Sequence, residues 1–205
     1  MNKAFLLLLL SIIMNLNAQN YRGHYKEWSI EFNMGLNKPY NTMTPGYETS
    51  NPNFYHIDLG TRYTINPYLG LKGDIGYDKF TNKSNTKEFN SNYIRVDLQA
   101  VADVGYALGL YDWAEPIGIL FHAGAGVSQF DNDSNTFKDK MINLIYGFTG
   151  TLKVSKNISL SGDISSLMHI EQFQNFDGRT RTDSNSALNN NLLTSSVGLI
   201  YFFRR

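Results

Sequence analysis

Cysteine is absent from all 205 residues, which excludes a disulfide framework and any lipid anchor carried on a cysteine. Charge is scarce: Asp, Glu, Lys and Arg make up 18% of the chain, against about 25% in ordinary soluble domains. The 18 basic and 18 acidic residues cancel, so there is no basic surplus of the kind a nucleic-acid partner requires. Proline occurs only 5 times, too seldom to interrupt many extended segments. Long apolar runs are also missing after the first residues. The one run, Ala4 to Met14, follows Lys3 and precedes Leu16-Asn17-Ala18. That is the layout of a secretory signal, and the run is short of the roughly 20 residues a membrane-spanning helix needs. Residues 1–18 are therefore expected to be removed, with the mature chain starting near Gln19 about one charge negative.

What is present is alternation. With 13 Tyr, 13 Phe and 17 Gly, the composition suits extended sheet. Period-2 segments recur at 28–36, 54–65, 68–80, 93–108, 117–130, 141–154, 158–170 and 192–203. Most exceed the 9 to 11 residues with which a tilted strand crosses a bilayer. Between them, short connections (66–67, 109–116, 155–157) alternate with long ones rich in Asn, Ser, Thr and Asp (37–53, 81–92, 131–140, 171–191). This is the layout of an all-β, eight-stranded antiparallel up-and-down transmembrane β-barrel with short periplasmic turns and long external loops. The expected organisation is a signal peptide over 1–18, a short periplasmic segment over 19–27 and an outer-membrane barrel over 28–205, with both termini periplasmic.

The two faces of each segment then have to be assigned. In YIRVDLQAVADVGYAL (93–108), Arg95, Asp97, Gln99 and Asp103 alternate with Ile94, Val96, Leu98 and Ala100. A soluble barrel would turn the apolar face inward, whereas a lipid-embedded one turns it outward. Charge scarcity favours the second arrangement, because Arg or Lys facing lipid at the bilayer midplane costs about 2–4 kcal/mol. Aromatics near strand ends (Trp28, Tyr63, Tyr68, Tyr106, Tyr111, Trp113, Tyr201) stand where interfacial girdles form. The interior of an eight-stranded barrel is just wide enough for its own side chains. It is expected to hold a paired network of Glu31, Asp58, Arg62, Lys72, Asp74, Arg95, Asp97, Asp103, Lys153 and Asp163 and to be plugged.

Several stretches resemble a known family. NPYLGLKGDIGYDKF (66–80), FHAGAGVSQF (121–130), DKMINLIYGFTGTLKVSKNISLSGDIS (139–165), FDGRT (176–180) and LLTSSVGLIYFF (192–203) resemble the amino-terminal barrel of OmpA-family outer-membrane proteins of Bacteroidetes. The resemblance implies a porin-like envelope protein inserted by the barrel-assembly machinery and surrounded by outer-membrane lipid and lipopolysaccharide. Family members commonly continue into a peptidoglycan-binding domain. Here the eighth strand is followed directly by Arg204-Arg205, so wall tethering is not carried over.

Chemical motifs are weak. His24, His56, His122 and His169 form no zinc-type pair; the last three are expected in the interior and His24 ahead of the barrel. DNDSN (131–135) begins like a calcium loop, but Thr136 replaces the turn glycine and Ile142 stands where the bidentate glutamate belongs. Gly124-Ala125-Gly126 lies inside a strand and lacks the helix a dinucleotide fingerprint needs. Ser165 and His169 are four apart, about 13 Å along a regular strand, too far for a nucleophile and its base. No catalytic, cofactor-binding or metal residue is assigned and no cofactor is expected. Two alternatives stand beside a structural envelope role: an accessory subunit of a larger outer-membrane complex, and a lipid-modifying enzyme. Phe173, Phe176, Arg179 and Arg181 of loop 171–191 are the candidate contact residues for another outer-membrane protein.

Overall fold

The computed structural model describes residues 26–40, 43–110, 116–133, 138–181 and 191–203. The expected signal peptide, His24, Tyr111, Trp113 and Arg204-Arg205 lie outside them. Eight strands form one closed barrel in sequence order: β1 (Glu27–Tyr40), β2 (Asn53–Thr64), β3 (Leu69–Thr81), β4 (Asn90–Asp103), β5 (Ile117–Asn132), β6 (Asp139–Lys153), β7 (Ile158–Ile170) and β8 (Asn191–Phe202). Every neighbouring pair is antiparallel, and β8 closes onto β1, where Ile30 faces Tyr201 and Tyr40 faces Asn191. Closure leaves no edge strand, so every backbone ladder is satisfied within the wall.

The pleat sorts the side chains as the alternation requires. On β4 the residues Ile94, Val96 and Leu98 point out, Leu98 being 64% exposed, while Arg95, Asp97 and Gln99 are buried inside. The same parity holds for Ile57 and Leu59 against Asp58 and Arg62 on β2, and for Leu71 and Ile75 against Lys72 and Asp74 on β3. An apolar face running round the whole wall would be unstable in water and suits hydrocarbon. Among the described residues no helix is long and apolar enough to cross a membrane, so the crossing elements are the strands.

Both rims carry aromatic residues. At the end where the chain enters and leaves the barrel (the terminus end), Trp28 packs on Tyr63 at 5.1 Å and Tyr68 on Tyr106 at 4.8 Å between ring centres. At the opposite, loop end a β-bulge adds to the belt. Gly35 pairs with His56 but Asn37 pairs with Asn53, so Phe54 and Tyr55 together stand against Leu36. Both point outward, at 70% and 52% exposure.

Two expectations are corrected. The fourth strand does not run to Leu108: it stops at Asp103, and the one-turn helix α1 (Val104–Ala107) follows. The Asp103 carboxylate accepts the Tyr106 N–H at 2.8 Å, an N-cap that competes with strand continuation. The strict sorting of connections by length also gives way. The terminus end has 65–68, 104–116 and 154–157; the loop end has 41–52, 82–89, 133–138 and 171–190. The β5–β6 ladder extends to Phe130 opposite Asp139 and shortens its loop, while α1 lengthens the connection at the other end.

The orientation of the pleat predicts a depth-dependent penalty on the outer face. Leu98→Arg should lower unfolding stability by about 2–4 kcal/mol, measured by denaturant titration in lipid vesicles. A change under about 0.5 kcal/mol, typical of an ordinary surface site, would contradict a lipid-facing Leu98.

Candidate functional site

Strand register stacks the interior in layers. One layer runs Glu31, Gly60, Asp74, Asp97, Gly126 and Asn143 across β1 to β6; the next contains Asn33, Asp58, Gly76, Arg95 and Ser128. Glycine recurs beside the longest polar side chains because the bore has no room for two. A Cβ on Gly76 would overlap the Arg95 guanidinium, and one on Gly147 would collide with Ser165 and His122.

Arg95 sits at the centre, 2% exposed. Its Nε donates to Asp97 at 2.8 Å, Nη2 to Asp58 and to Asp74 (3.3 Å), and Nη1 to Asp78 at 3.5 Å. His56 bridges two of these acids, with Nδ1 2.8 Å from Asp78 and Nε2 2.8 Å from Asp58. Asn37 donates to Asp78 at 2.9 Å, and Asn143 donates to Asp97. Toward the terminus end, Glu31 pairs with Arg62 at 2.9 Å and Lys72 at 3.3 Å, and Lys72 reaches Asp74 at 3.0 Å. Five carboxylates thus share three permanent cations and the His56 imidazole. Such an arrangement holds only while each member keeps its partners, because an uncompensated buried charge is costly.

Asp163 belongs to a separate cluster. It accepts from Thr149 at 2.7 Å and from Ser165, and lies 3.0 Å from His122 Nε2. Ser165 is 3.4 Å from the same nitrogen. A catalytic relay needs serine and acid on opposite nitrogens of the imidazole; here both meet Nε2, and the serine donates to the acid. His169, the partner considered for Ser165, is held by Tyr93 Oη at 2.7 Å instead. Asp103 and Lys153 line the terminus-end opening with Glu27 and Arg62, away from the Arg95 centre.

Toward the loop end the interior changes character. Phe80, Tyr93, Phe130, Met141, Ile145, Leu167 and Leu192 turn inward and form an apolar cluster, which a uniformly charged bore did not anticipate. Phe176 from loop 171–190 is seated in it, fully buried, with its ring 4.6 Å from Phe80, 5.6 Å from Phe130 and 5.6 Å from His169. The segment is pinned on both sides. Asp139 accepts the N–H groups of Phe173 and Gln174, each at 2.8 Å; Asp177 accepts those of Thr44 (2.7 Å) and Arg179 (3.0 Å). Between them Asn175 and Arg179 close a turn in which Gly178 takes φ 79°, a region open to glycine at no steric cost. Arg179 also donates to Tyr47 Oη at 2.8 Å.

Phe176 is therefore removed from the candidate contact residues, since burial leaves it no surface, and Arg179 is engaged with Tyr47. Phe173 remains 60% exposed, its carbonyl accepting the Arg181 N–H at 3.0 Å. Sequence reasoning left Asp78, Asn37 and Asn143 out of the network. Asp78 had the right parity on β3, but nothing local distinguishes it as a ligand of Arg95.

The sequence family described as outer membrane protein beta-barrel domain matches residues 4–201. The chain belongs to this family. The fold is shared with solved outer-membrane barrels of low identity. Neisserial surface protein A is 13% identical with a TM-score of 0.57, over 85% of this chain and 96% of that one. A major outer membrane protein of Thermus thermophilus is 13% identical with a TM-score of 0.55, over 88% and 100%. Ail, the attachment invasion locus protein of Yersinia pestis, is 16% identical with a TM-score of 0.50, over 88% and 100%. No curated protein sequence gives a significant match. Family membership places this barrel in the outer membrane.

Two substitutions separate the contributions of the interior. Arg95→Met should cost about 3–5 kcal/mol by stranding the carboxylates around it, read as a lowered unfolding midpoint in vesicles. Phe176→Ala should cost about 3–5 kcal/mol if its cavity stays open, by the same readout; an unchanged midpoint would mean that the loop contributes nothing to the barrel's stability.

Proposed function

We propose that this outer-membrane barrel has a structural role in the envelope, with a plugged interior that offers neither a solute path nor a catalytic site. The observation that carries the reading is the seating of Phe176 over the Arg95 network, with apolar packing above interlocked charges. A pore needs a continuous wet path, whereas the Arg95 guanidinium fills the bore and directs its nitrogens at four carboxylates from three strands. Both termini are assigned to the periplasm and the loops 41–52, 82–89, 133–138 and 171–190 to the exterior, because barrels of this kind carry their long loops outside and the longest connection here, 171–190, stands at that end. On this reading the partners are membrane lipid and lipopolysaccharide, together with the barrel-assembly machinery during insertion.

A second reading, an accessory subunit of a larger outer-membrane complex, is favoured by one observation: Phe173 is 60% exposed on a loop that is otherwise tied down. Gentle extraction of the tagged protein from its own membrane followed by mass spectrometry separates the two. A lone monomer is the expected result, and a stoichiometric larger barrel would replace the envelope reading by the accessory one. Planar bilayer recording tests the plug. The unaltered protein should show no steady current; sustained open-channel current from it would overturn the closed interior.

A further inference from the structure

Three loops are fastened to one another above the loop-end rim. Loop 41–52 runs along the start of loop 82–89, with the Ser50 N–H donating to the Thr81 carbonyl at 2.9 Å and the Lys83 N–H to that of Glu48 at 2.8 Å. It is also held from loop 171–190, by the Asp177 carboxylate on the Thr44 N–H and by Arg179 on Tyr47 Oη. All three loops meet at Tyr47. The Lys87 ammonium lies 5.2 Å from the centre of its ring and the Arg179 guanidinium 5.5 Å, so two like charges from different loops are held at one residue. Among the described residues neither is in a salt bridge, whereas Lys83 on the same loop as Lys87 is paired with Glu48 at 2.8 Å. Lys38 and Lys79 lack one too, but they stand on the outer wall against rings of their own. Asp177 does not neutralise Arg179, because its two oxygens take the N–H groups of Thr44 and Arg179. Beside Tyr47 is a groove of about 300 Å³, its lining including Glu88, Phe89, Arg179 and Thr180. Glu88, Arg179 and Thr180 are exposed. Of the Arg179 nitrogens Nη2 is engaged, on Tyr47; among the described residues Nε, Nη1 and the side-chain oxygens of Glu88 and Thr180 have no hydrogen-bond partner.

We propose that this groove binds an acidic sugar, a pyranose ring bearing a carboxylate: the carboxylate on Arg179 beside Lys87, and ring hydroxyls on Glu88 and Thr180. A guanidinium fork matches a carboxylate with two parallel hydrogen bonds, and the second cation adds to the attraction. Glu88 selects what carries the carboxylate. An acidic peptide brings no hydroxyl and stands against the Glu88 charge, whereas a sugar presents O–H donors that a carboxylate accepts. Loops already tied together give up little freedom on binding, which lowers its cost. The site goes beyond the structural role proposed above and is independent of whether the interior is closed.

The test is calorimetric titration of the folded full chain in non-ionic detergent with trigalacturonic acid, against maltotriose as a neutral trisaccharide and tri-aspartate as an acidic peptide. In micelles both ends of the barrel meet the solute, so the outcome does not depend on which end faces the exterior. Trigalacturonic acid should bind about tenfold more tightly than either of the others, the weight of one hydrogen bond to a charged group. Arg179→Lys, which keeps the charge and loses the fork, should remove about that factor, and Lys87→Ala a smaller part of it. Glu88→Ala should narrow the gap between sugar and peptide by loosening the first and admitting the second. Lys38→Ala, on the outer wall at the same end, should change nothing. Heat-modifiable gel migration identifies the folded variants; should Arg179→Lys fail it, the exposed Lys87→Ala and Glu88→Ala carry the test. Equal affinity of the unaltered protein for trigalacturonic acid and maltotriose, or a sugar affinity undiminished in the folded variants at Arg179, Lys87 and Glu88, would overturn the proposal.

Discussion

Arg95 reaches four carboxylates, Asp58, Asp74, Asp78 and Asp97, and the arrangement of the interior depends on that convergence. A guanidinium presents five N–H donors in a rigid fork, so one side chain can tie β2, β3 and β4 together from inside. In a bore of eight strands there is little space for water to substitute. The glycines beside it follow from this constraint: a side chain at Gly76 would take the space the fork occupies. His56 then braces two of the same acids, so that the charged centre is connected from β1, through Asn37, to β6, through Asn143.

The outer wall obeys the opposite rule. No water meets it over the apolar band, so charge is excluded there and returns only at the rims. Lys38 and Lys79 appear at the loop end, their ammonium groups 5.1 and 5.9 Å from the rings of Tyr40 and Tyr55. The terminus end relies instead on paired aromatics, Trp28 with Tyr63 and Tyr68 with Tyr106. The two ends of the barrel therefore differ chemically as well as in their connections.

Much of the wall was legible in the residues alone. Period-2 alternation identified all eight strands, and charge scarcity identified which face meets lipid; closure and strand order agree with that reading. The errors fall where a local signal competes with the pleat. Asp103 begins an N-cap inside an otherwise alternating run, a short-range feature that neither hydropathy nor spacing reveals. The site was less legible. Parity placed Asp58, Asp74, Arg95 and Asp97 inside, but it gave no reason to join Asp78 to them, nor to expect Phe176 among Phe80, Tyr93 and Phe130.

The sequence by itself determined the architecture, because a strand's side-chain direction depends only on its neighbours along the chain and a membrane penalises the wrong face at every second residue. Which side chains meet across the bore was decided only by the tertiary structure. The contacts of Asn37 with Asp78, Tyr93 with His169, and Phe176 with Phe80 join residues far apart in the chain. They exist because closure and inter-strand register bring those residues to one height, and neither quantity is written in any single stretch of sequence.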